Sequence, residues 1–252
     1  MNGILLIDKP SGWTSFDVVA KVRGLLRQSQ SAEYAAQSEE LLAKYSQLRT
    51  SSPKVKVGHA GTLDPLATGL LVILVGSYCK RALEFSKLDK IYEVTMKLGV
   101  TSTTGDEEGE KMEGGSKKVD DRELQEALKK FTGEIMQVPH AFSAIKVNGQ
   151  RAYKLAREGK EVVIQPRRVT IYSITDVNYA YPEVKFTAKV SSGTYIRSMV
   201  EDIGKELQTG AYMTRLKRTH IGFFKLDNSL SMDGLDGTRI TNSLMEIAET
   251  VK

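Results

Sequence analysis

The chain has 252 residues, 40% of them hydrophobic, with a formal net charge of +5 and a sequence pI of about 9.1. This length allows one large domain or a domain with a small appendage, and the apolar content is enough for a core, which excludes a wholly disordered chain. A moderate basic excess suits a polyanionic partner but is equally common in basic proteins with no such partner.

Cysteine and histidine usage limits the possible chemistry. The single cysteine, Cys79, excludes an internal disulfide and favours a reducing compartment. The histidines His59, His140 and His220 are far apart and do not form a zinc-type spacing, so we expect no metal. No apolar run is long enough to cross a membrane, and the N-terminus lacks a secretory signal. We expect a soluble, cytoplasmic protein.

The N-terminal elements follow from local patterns. Residues 3–8 predict a buried strand and residues 9–12 a turn. Thr14 and Asp17 have the spacing of a capping box, and apolar residues recur at helical spacing as far as Leu26. We therefore predict a strand, a turn and an amphipathic helix.

The next stretch changes composition before an apolar run. Residues 28–52 are rich in Gln, Ser, Ala and Glu and predict an inserted surface helix. Residues 54–57 alternate as a strand, Leu70–Val75 are typical of a buried strand, and residues 77–88 suit a helix.

The second half interleaves strands and helices. A strand is predicted at residues 91–98, followed by a solvated polar loop at 100–118 that includes Asp106 among its acids, and by a helix capped by Asp120 and Glu123. The later elements are a turn at Asn148-Gly149, helices at 151–159 and 195–207, and strands at 162–172 and 183–190. This alternation favours a mixed sheet with helices on its faces.

One stretch, GHAGTLDPLATGLL at residues 58–71, suits a reactive site. Its glycines permit unusual backbone angles, and Pro65 biases Asp64 away from helix. A buried strand behind the loop would anchor it, so a single carboxylate could be held in place there. The alternative is a glycine-rich turn in which Asp64 only bonds nearby backbone.

Six segments resemble, in the same order, the motifs of the TruB-type tRNA pseudouridine synthases. They are GILLIDKPSGWTS (3–15), VGHAGTLDPLATGLL (57–71), KIY (90–92), SAIKVNGQRAYKLAR (143–157), SSGTYIRSMVEDIG (191–204) and TRLKRTHIGFF (214–224). The resemblance implies isomerisation of uridine 55 in the tRNA T-loop, no cofactor, and the tRNA T-arm as partner of a monomeric enzyme. It also implies an α+β pseudouridine synthase fold, with a mixed, largely antiparallel sheet flanked by helices and loops.

The same resemblance predicts the domain organisation. Residues 1–226 would form the catalytic domain, with residues 28–52 as a helical insertion. Residues 227–252 would be a short tail, without room for a full RNA-binding domain of the PUA type that many relatives carry.

The resemblance assigns three catalytic residues. Asp64 would attack or deprotonate the target nucleoside, which a carboxylate can do without a metal. Arg197 would pair with Asp64 and keep it ionised, and Tyr92 would stack on the uracil. The alternatives are a helix-surface pair of Arg197 with Glu201 and an ordinary half-buried strand tyrosine.

The resemblance also assigns RNA-contacting residues. His59 would help to displace the target base, which an enzyme acting on a base must extract from its loop. Gly61 and Thr62 belong to the loop motif, and Lys9 and Pro10 match a Lys-Pro pair near the active site of the family. Tyr195 and Leu216 would line the pocket. Arg215, Lys217 and Arg218 would contact phosphate. For each of these, a purely structural or solvated position is the alternative.

Two further functions remain open at this point. A non-catalytic RNA-binding factor could keep the cleft, although a binder has little need of a carboxylate facing phosphate. A catalytic subunit of a guide-RNA complex is the other, and the absence of a PUA-type tail counts against it.

His140 and Phe142 stand where the family usually has proline and tyrosine.

Overall fold

The computed structural model describes residues 1–42, 55–143, 145–147 and 149–247, and the side chains of 32–42 are outside that description. Predictions that fall on residues 43–52, Lys54 and Asn148 therefore lie outside the described residues. The chain divides into two compact units. The first comprises Met1–Ser86 and the chain from Phe223 onward, and the second comprises Lys87–Gly222.

The first unit is built on a small sheet. Its strands are β1 (Gly3–Lys9), β2 (Val57–Ala60), β3 (Thr68–Val75) and β14 (Leu230–Ser231), and the unit also contains the short strand β13 (Phe224–Lys225). β3 pairs antiparallel with both β1 and β2, and β14 pairs with β1 in parallel. The predicted strands at residues 3–8 and 70–75 are confirmed. The strand predicted at 54–57 instead begins at Val57 and includes His59.

The long helix α1 (Ser15–Leu42) covers this sheet. The Thr14 N–H donates to the Asp17 carboxylate (2.9 Å), and the Asp17 N–H donates to the Thr14 hydroxyl (3.1 Å), so the predicted capping box is confirmed. The described part of the predicted insertion, residues 28–42, continues α1 and is not a separate helix.

The core of the first unit lies between α1 and the sheet. It also includes residues that the sequence assigned to a polar tail, since Leu235 and Ile240 are buried in it. The remaining helices of this unit are α2 (Ala82–Ser86), which follows a 3-10 turn at Gly76–Arg81, and α6 (Gly237–Asn242). The predicted helix at 77–88 is therefore a 3-10 turn and a short α-helix.

The second unit contains a five-stranded antiparallel sheet in the order β12–β4–β11–β10–β7. Its strands are β4 (Lys90–Leu98), β7 (Gly133–Gln137), β10 (Arg167–Ala180), β11 (Glu183–Val190) and β12 (Ala211–Ile221). Short hairpins pair β5 (Val100–Ser102) with β6 (Lys111–Glu113), and β8 (Lys146–Val147) with β9 (Gln150–Arg151). The predicted polar loop at 100–118 thus contains a hairpin.

Proline explains one difference from the predicted strands. The strand predicted from residue 162 begins at Arg167, directly after Pro166, which has no N–H to donate to a sheet. The strand predicted at 183–190 is confirmed as β11.

The helices of the second unit are α3 (Asp121–Lys130), α4 (Ala152–Arg157) and α5 (Ile196–Glu206). The capping box of Asp120 and Glu123 on α3 is confirmed. α5 packs so closely on the chain at Ala211 that a Cβ at Gly204 would lie 2.3 Å from the Ala211 nitrogen. Among the described residues, no helix is long and apolar enough to cross a membrane.

Candidate active site

The loop between β2 and β3 carries Asp64 and is fixed at both neighbours of that residue. The Ser15 hydroxyl accepts from the Leu63 N–H (2.9 Å) and donates to the Leu63 carbonyl oxygen (3.1 Å). On the other side, the Gly12 N–H donates to the Pro65 carbonyl oxygen (2.9 Å). The backbone on either side of the half-buried Asp64 is therefore tied to the turn after β1 and to Ser15, the first residue of α1, which limits where its carboxylate can point.

Lys9 supports the same loop from within. Its side chain is fully buried, and the ammonium group donates to the carbonyl oxygens of Pro10 (2.9 Å), Trp13 (2.7 Å) and Pro65 (3.0 Å). A buried charge needs such hydrogen bonds, and a fully buried ammonium does not reach a phosphate. We therefore expect Lys9 to position the Asp64 loop, with Pro10 taking part through its carbonyl, rather than to contact RNA.

Backbone conformation explains the glycines of this loop. Gly61 has φ +91° and Gly69 has φ +98°, in the left-handed region that favours glycine. His59 lies on β2 opposite Ile73 and is half-buried, while Thr62 is exposed. The RNA contacts assigned to His59, Gly61 and Thr62 remain predictions.

Arg197 lies in the first turn of α5 and is buried. Its Nη1 atom is 3.3 Å from an Asp106 carboxylate oxygen and donates to the Thr104 carbonyl oxygen at 3.0 Å. Its Nη2 atom donates to the Phe142 carbonyl oxygen at 2.9 Å. The side chains of Arg197 and Asp106 are only 7% and 10% exposed, so this ion pair is shielded from solvent.

This geometry rules out the helix-surface alternative for Arg197. The Glu201 carboxylate lies 3.2 Å from the Nε2 atom of His140, and Arg197 itself is buried. Arg197 therefore does not form a surface pair with Glu201.

Asp106 is a site residue that the sequence prediction missed. The Thr104 hydroxyl and the Glu108 N–H both donate to its Oδ1 atom, at 2.5 Å and 3.1 Å. The prediction placed Asp106 in a solvated loop, and this is wrong for Asp106 because its residue is only 7% exposed. The Thr104-Gly105-Asp106 turn was the one local signal that its carboxylate could be ordered.

Tyr92 lies on the buried face of the central strand β4. Its cross-strand partner on β12 is Arg218, and the next pair on that face is Val94 with Leu216. Tyr92 is 8% exposed and Arg218 only 1%. Residues directly opposite each other on antiparallel strands share a face, so an aromatic ring, an apolar side chain and a guanidinium lie side by side.

The three predicted phosphate-binding residues of β12 do not form one surface. Successive side chains of a strand point to opposite faces. Arg215 and Lys217 are exposed, whereas Arg218 is on the buried face. Lys217 faces Glu93 across the strand pair at 4.0 Å. Arg218 is therefore buried beside Tyr92, where we expect no phosphate contact.

A second buried cation, Lys90, lies on the same strand face. Burial is the main factor that lowers the pKa of Lys90 to about 8, and the nearby charge of Arg218 lowers it further. The face of β4 that carries Tyr92 therefore has two buried cations beside it, Lys90 and Arg218.

Two family models together match residues 48–246 of the chain. The model of the TruB family pseudouridylate synthase N-terminal domain matches residues 48–196, and the model of the tRNA pseudouridylate synthase B C-terminal domain matches residues 197–246. The chain belongs to the TruB family. The two matches include Asp64, Tyr92, Asp106 and Arg197.

Curated TruB-family relatives cover nearly the whole chain. This chain is 40% identical over 247 residues to tRNA pseudouridine synthase B of Clostridium kluyveri, and the match covers 98% of this chain and 76% of that protein. The protein of the same name from Burkholderia mallei is 39% identical over 236 residues, covering 94% and 70%.

Solved structures are similar to this TruB-family chain in fold. A chain of a Cbf5-Nop10-Gar1 complex matches with a TM-score of 0.63 and 27% identity. A chain of an H/ACA RNP bound to a substrate RNA containing 2′-deoxyuridine matches with a TM-score of 0.60 and 25% identity. Each match covers 91% of this chain and about half of the other, 52% and 51% respectively. The α+β pseudouridine synthase fold expected from the sequence is thus confirmed.

Within each unit, the structure brings together some of the predicted TruB-family site residues. In the second unit Tyr92, Leu216 and Arg218 share one strand face, and Tyr195 directly precedes the helix that carries Arg197. Asp64 belongs to the first unit, and its pairing with Arg197 remains a prediction. Among the described residues, no group of three or more His, Cys, Asp or Glu side chains could hold a metal ion.

Proposed function

We propose that this protein is a tRNA pseudouridine synthase that isomerises uridine 55 in the T-loop. The observation that carries this proposal is the family match across the Asp64 motif, supported by relatives at about 40% identity that are named tRNA pseudouridine synthase B. The loop geometry supports it further, because the backbone on both sides of Asp64 is anchored.

The reaction breaks one bond to the base and forms another. The N1–C1′ glycosidic bond of uridine breaks, the uracil turns, and C5 bonds to C1′. N1 then gains a proton and C5 loses one, so the atoms balance without a cofactor. Asp64 would attack or deprotonate the nucleoside, and an oriented carboxylate can serve either purpose.

Three other side chains complete the proposed site. Arg197, oriented by Asp106 and two carbonyl oxygens, would orient the Asp64 carboxylate. Tyr92 would stack on the displaced uracil, and His59 would help to displace it. Exposed cations such as Lys217 would contact tRNA phosphates.

We also propose that the enzyme acts on free tRNA as a monomer in the cytoplasm. The higher identity to the tRNA pseudouridine synthases than to the chains of the RNP complexes favours this over a guide-RNA subunit. Light scattering of the purified protein with and without tRNA tests the monomer, and a stable dimer would contradict it.

Tritium release tests the activity. Unmodified tRNA transcript labelled at uracil C5 is incubated with the protein, and we expect release of the label from position 55, because C5 exchanges its proton for the bond to C1′. A transcript with cytidine at position 55 is the matched control. Bound tRNA without release would leave a non-catalytic tRNA-binding factor as the function.

A further inference from the structure

Gln137, at the end of β7, holds the chain where α5 begins. Its side-chain nitrogen donates to the Tyr195 carbonyl oxygen at 3.0 Å, and its side-chain oxygen accepts from the Tyr195 N–H at 2.8 Å. Gln137 is only 1% exposed. The amide therefore bonds both polar atoms of the Tyr195 backbone, as a neighbouring strand would.

This double hydrogen bond acts at the point that determines where α5 starts. Tyr195 is the residue before the helix, with φ −99° and ψ 108°, and no side chain caps the helix there. Arg197 follows two residues later. A shift of the Tyr195 peptide would therefore move both its own side chain and the Arg197 guanidinium.

The segment after Gln137 contacts α5 at two more places. The Phe142 carbonyl oxygen accepts from Arg197 at 2.9 Å, and His140 lies 3.2 Å from the Glu201 carboxylate through Nε2. The Phe142 N–H donates to the Nδ1 atom of His140 at 3.1 Å, which leaves Nε2 as the nitrogen that donates to Glu201. The three contacts fix the start of α5 against one short segment.

We propose that Gln137 is a positioning residue for the isomerisation: it holds the Tyr195 peptide so that Tyr195 and Arg197 meet the target nucleoside in a reactive geometry. This inference rests on the proposed function. Only a side chain with a donor and an acceptor at the spacing of an amide can satisfy both the N–H and the carbonyl oxygen of Tyr195. An ionised carboxylate loses the donor, whereas a protonated carboxylic acid regains it.

The Gln137→Glu variant tests this through its pH dependence. We measure single-turnover tritium release at a temperature where every variant is folded, as a ratio to wild type at each pH. At high pH the ionised carboxylate cannot donate to the Tyr195 carbonyl, so we expect the ratio to fall by about tenfold or more. As the pH is lowered and Glu is protonated, the ratio should rise towards one, with tRNA affinity near wild type throughout.

The surroundings and controls make this signature specific. The other charged groups nearby are Arg167, the cross-strand partner on β10, Arg197 and Glu201 on α5, and His140. They are present in wild type also, so the ratio isolates the new carboxyl group. The Gln125→Glu variant on α3 adds the same charge at a position that does not make the two hydrogen bonds to Tyr195. Its rate relative to wild type should stay near one at every pH. Gln137→Met, which is neutral, should be slow at every pH without recovery.

Two results would overturn the inference. One is a Gln137→Glu rate equal to wild type at all pH values, and the other is a rate reduced by the same factor at all of them. Wild type that binds tRNA without releasing tritium would overturn the proposed function, and this inference with it, so the wild-type arm distinguishes the two failures.

Discussion

The guanidinium of Arg197 has its orientation set inside the second unit, by the Asp106 carboxylate and two backbone carbonyl oxygens. A buried ion pair contributes little net stability when complete, but it is costly to break because the remaining charge stays buried. Asp106 thus contributes to the stability of this region and to the direction of Arg197, the arginine that we propose acts in the reaction.

We therefore predict that Asp106→Asn lowers the free energy of unfolding by about 3 kcal/mol and turnover by at least about tenfold, with tRNA affinity retained. Urea denaturation and tritium release measure the two effects. The control is Asp202→Asn on α5, the helix that carries Arg197; the Asp202 carboxylate pairs with the exposed Lys205 and should contribute less than about 1 kcal/mol. An Asp106→Asn variant as stable and active as wild type would contradict the account.

Asp64, Tyr92 and Arg197 could be assigned roles, which remain predictions, because each lies in a segment whose local order resembles a family motif. Asp106 could not, because the acids around it, such as Glu107 and Glu108, are exposed, and its partner lies far along the chain. Local composition describes the average exposure of a loop, whereas a single buried carboxylate is determined by tertiary contacts.

The buried ammonium of Lys9 should contribute to stability rather than to tRNA binding. Replacing Lys9 with Met removes a buried donor that bonds three carbonyl oxygens, so we expect the free energy of unfolding to fall by about 2–4 kcal/mol. The salt dependence of tRNA binding should not change, since the ammonium is buried. A reduced salt slope with unchanged stability would restore Lys9 to the RNA interface.

Lys90 predicts a pH dependence of stability. Its pKa is lowered to about 8 when folded, from an ordinary value of 10.5, so between these values the unfolded chain binds more protons than the folded one. The penalty of burying the charge is therefore complete below about pH 8 and is relieved as the pH rises towards about 10.5.

We measure this as the difference in unfolding free energy between wild type and Lys90→Met, which cancels the other groups that titrate at alkaline pH. From about pH 7.5 to about pH 10.5, the unfolding free energy of wild type should rise relative to that of Lys90→Met by at most about 3 kcal/mol. A difference independent of pH, or one that changes in the opposite direction, would contradict the lowered pKa.

At the scale of elements, the pleat of β12 separates the cations that the sequence grouped together. No strand was predicted for these residues, and the alternation of side chains along β12 places them on two faces. Which face is buried depends on what covers it, so the sequence could not tell that Arg218 is buried while Lys217 is exposed.

Lys217 should therefore act as a surface cation. We predict that Lys217→Ala weakens tRNA binding and lowers the magnitude of its salt slope by about 1, because one phosphate contact is lost. Filter binding at several salt concentrations measures the slope. Arg122→Ala, at an exposed position on α3, is the control; an unchanged slope in Lys217→Ala would place Lys217 outside the interface.

At the scale of the whole molecule, strands and helices were predicted well where patterns were local. The capping boxes of α1 and α3 are confirmed, because capping depends on residues three positions apart. The continuation of α1 to Leu42 and the burial of Leu235 and Ile240 were not predicted. The burial of Leu235 and Ile240 depends on tertiary packing rather than on local polarity, and the domain boundary assigned at residue 226 remains a prediction.

The central claim is that one carboxylate, that of Asp64, carries out the isomerisation. The direct measurement is tritium release by Asp64→Asn, which keeps the shape of the side chain but removes its charge, at a concentration where tRNA is fully bound. We predict binding near that of wild type and no release. Release at a rate close to wild type would contradict the account.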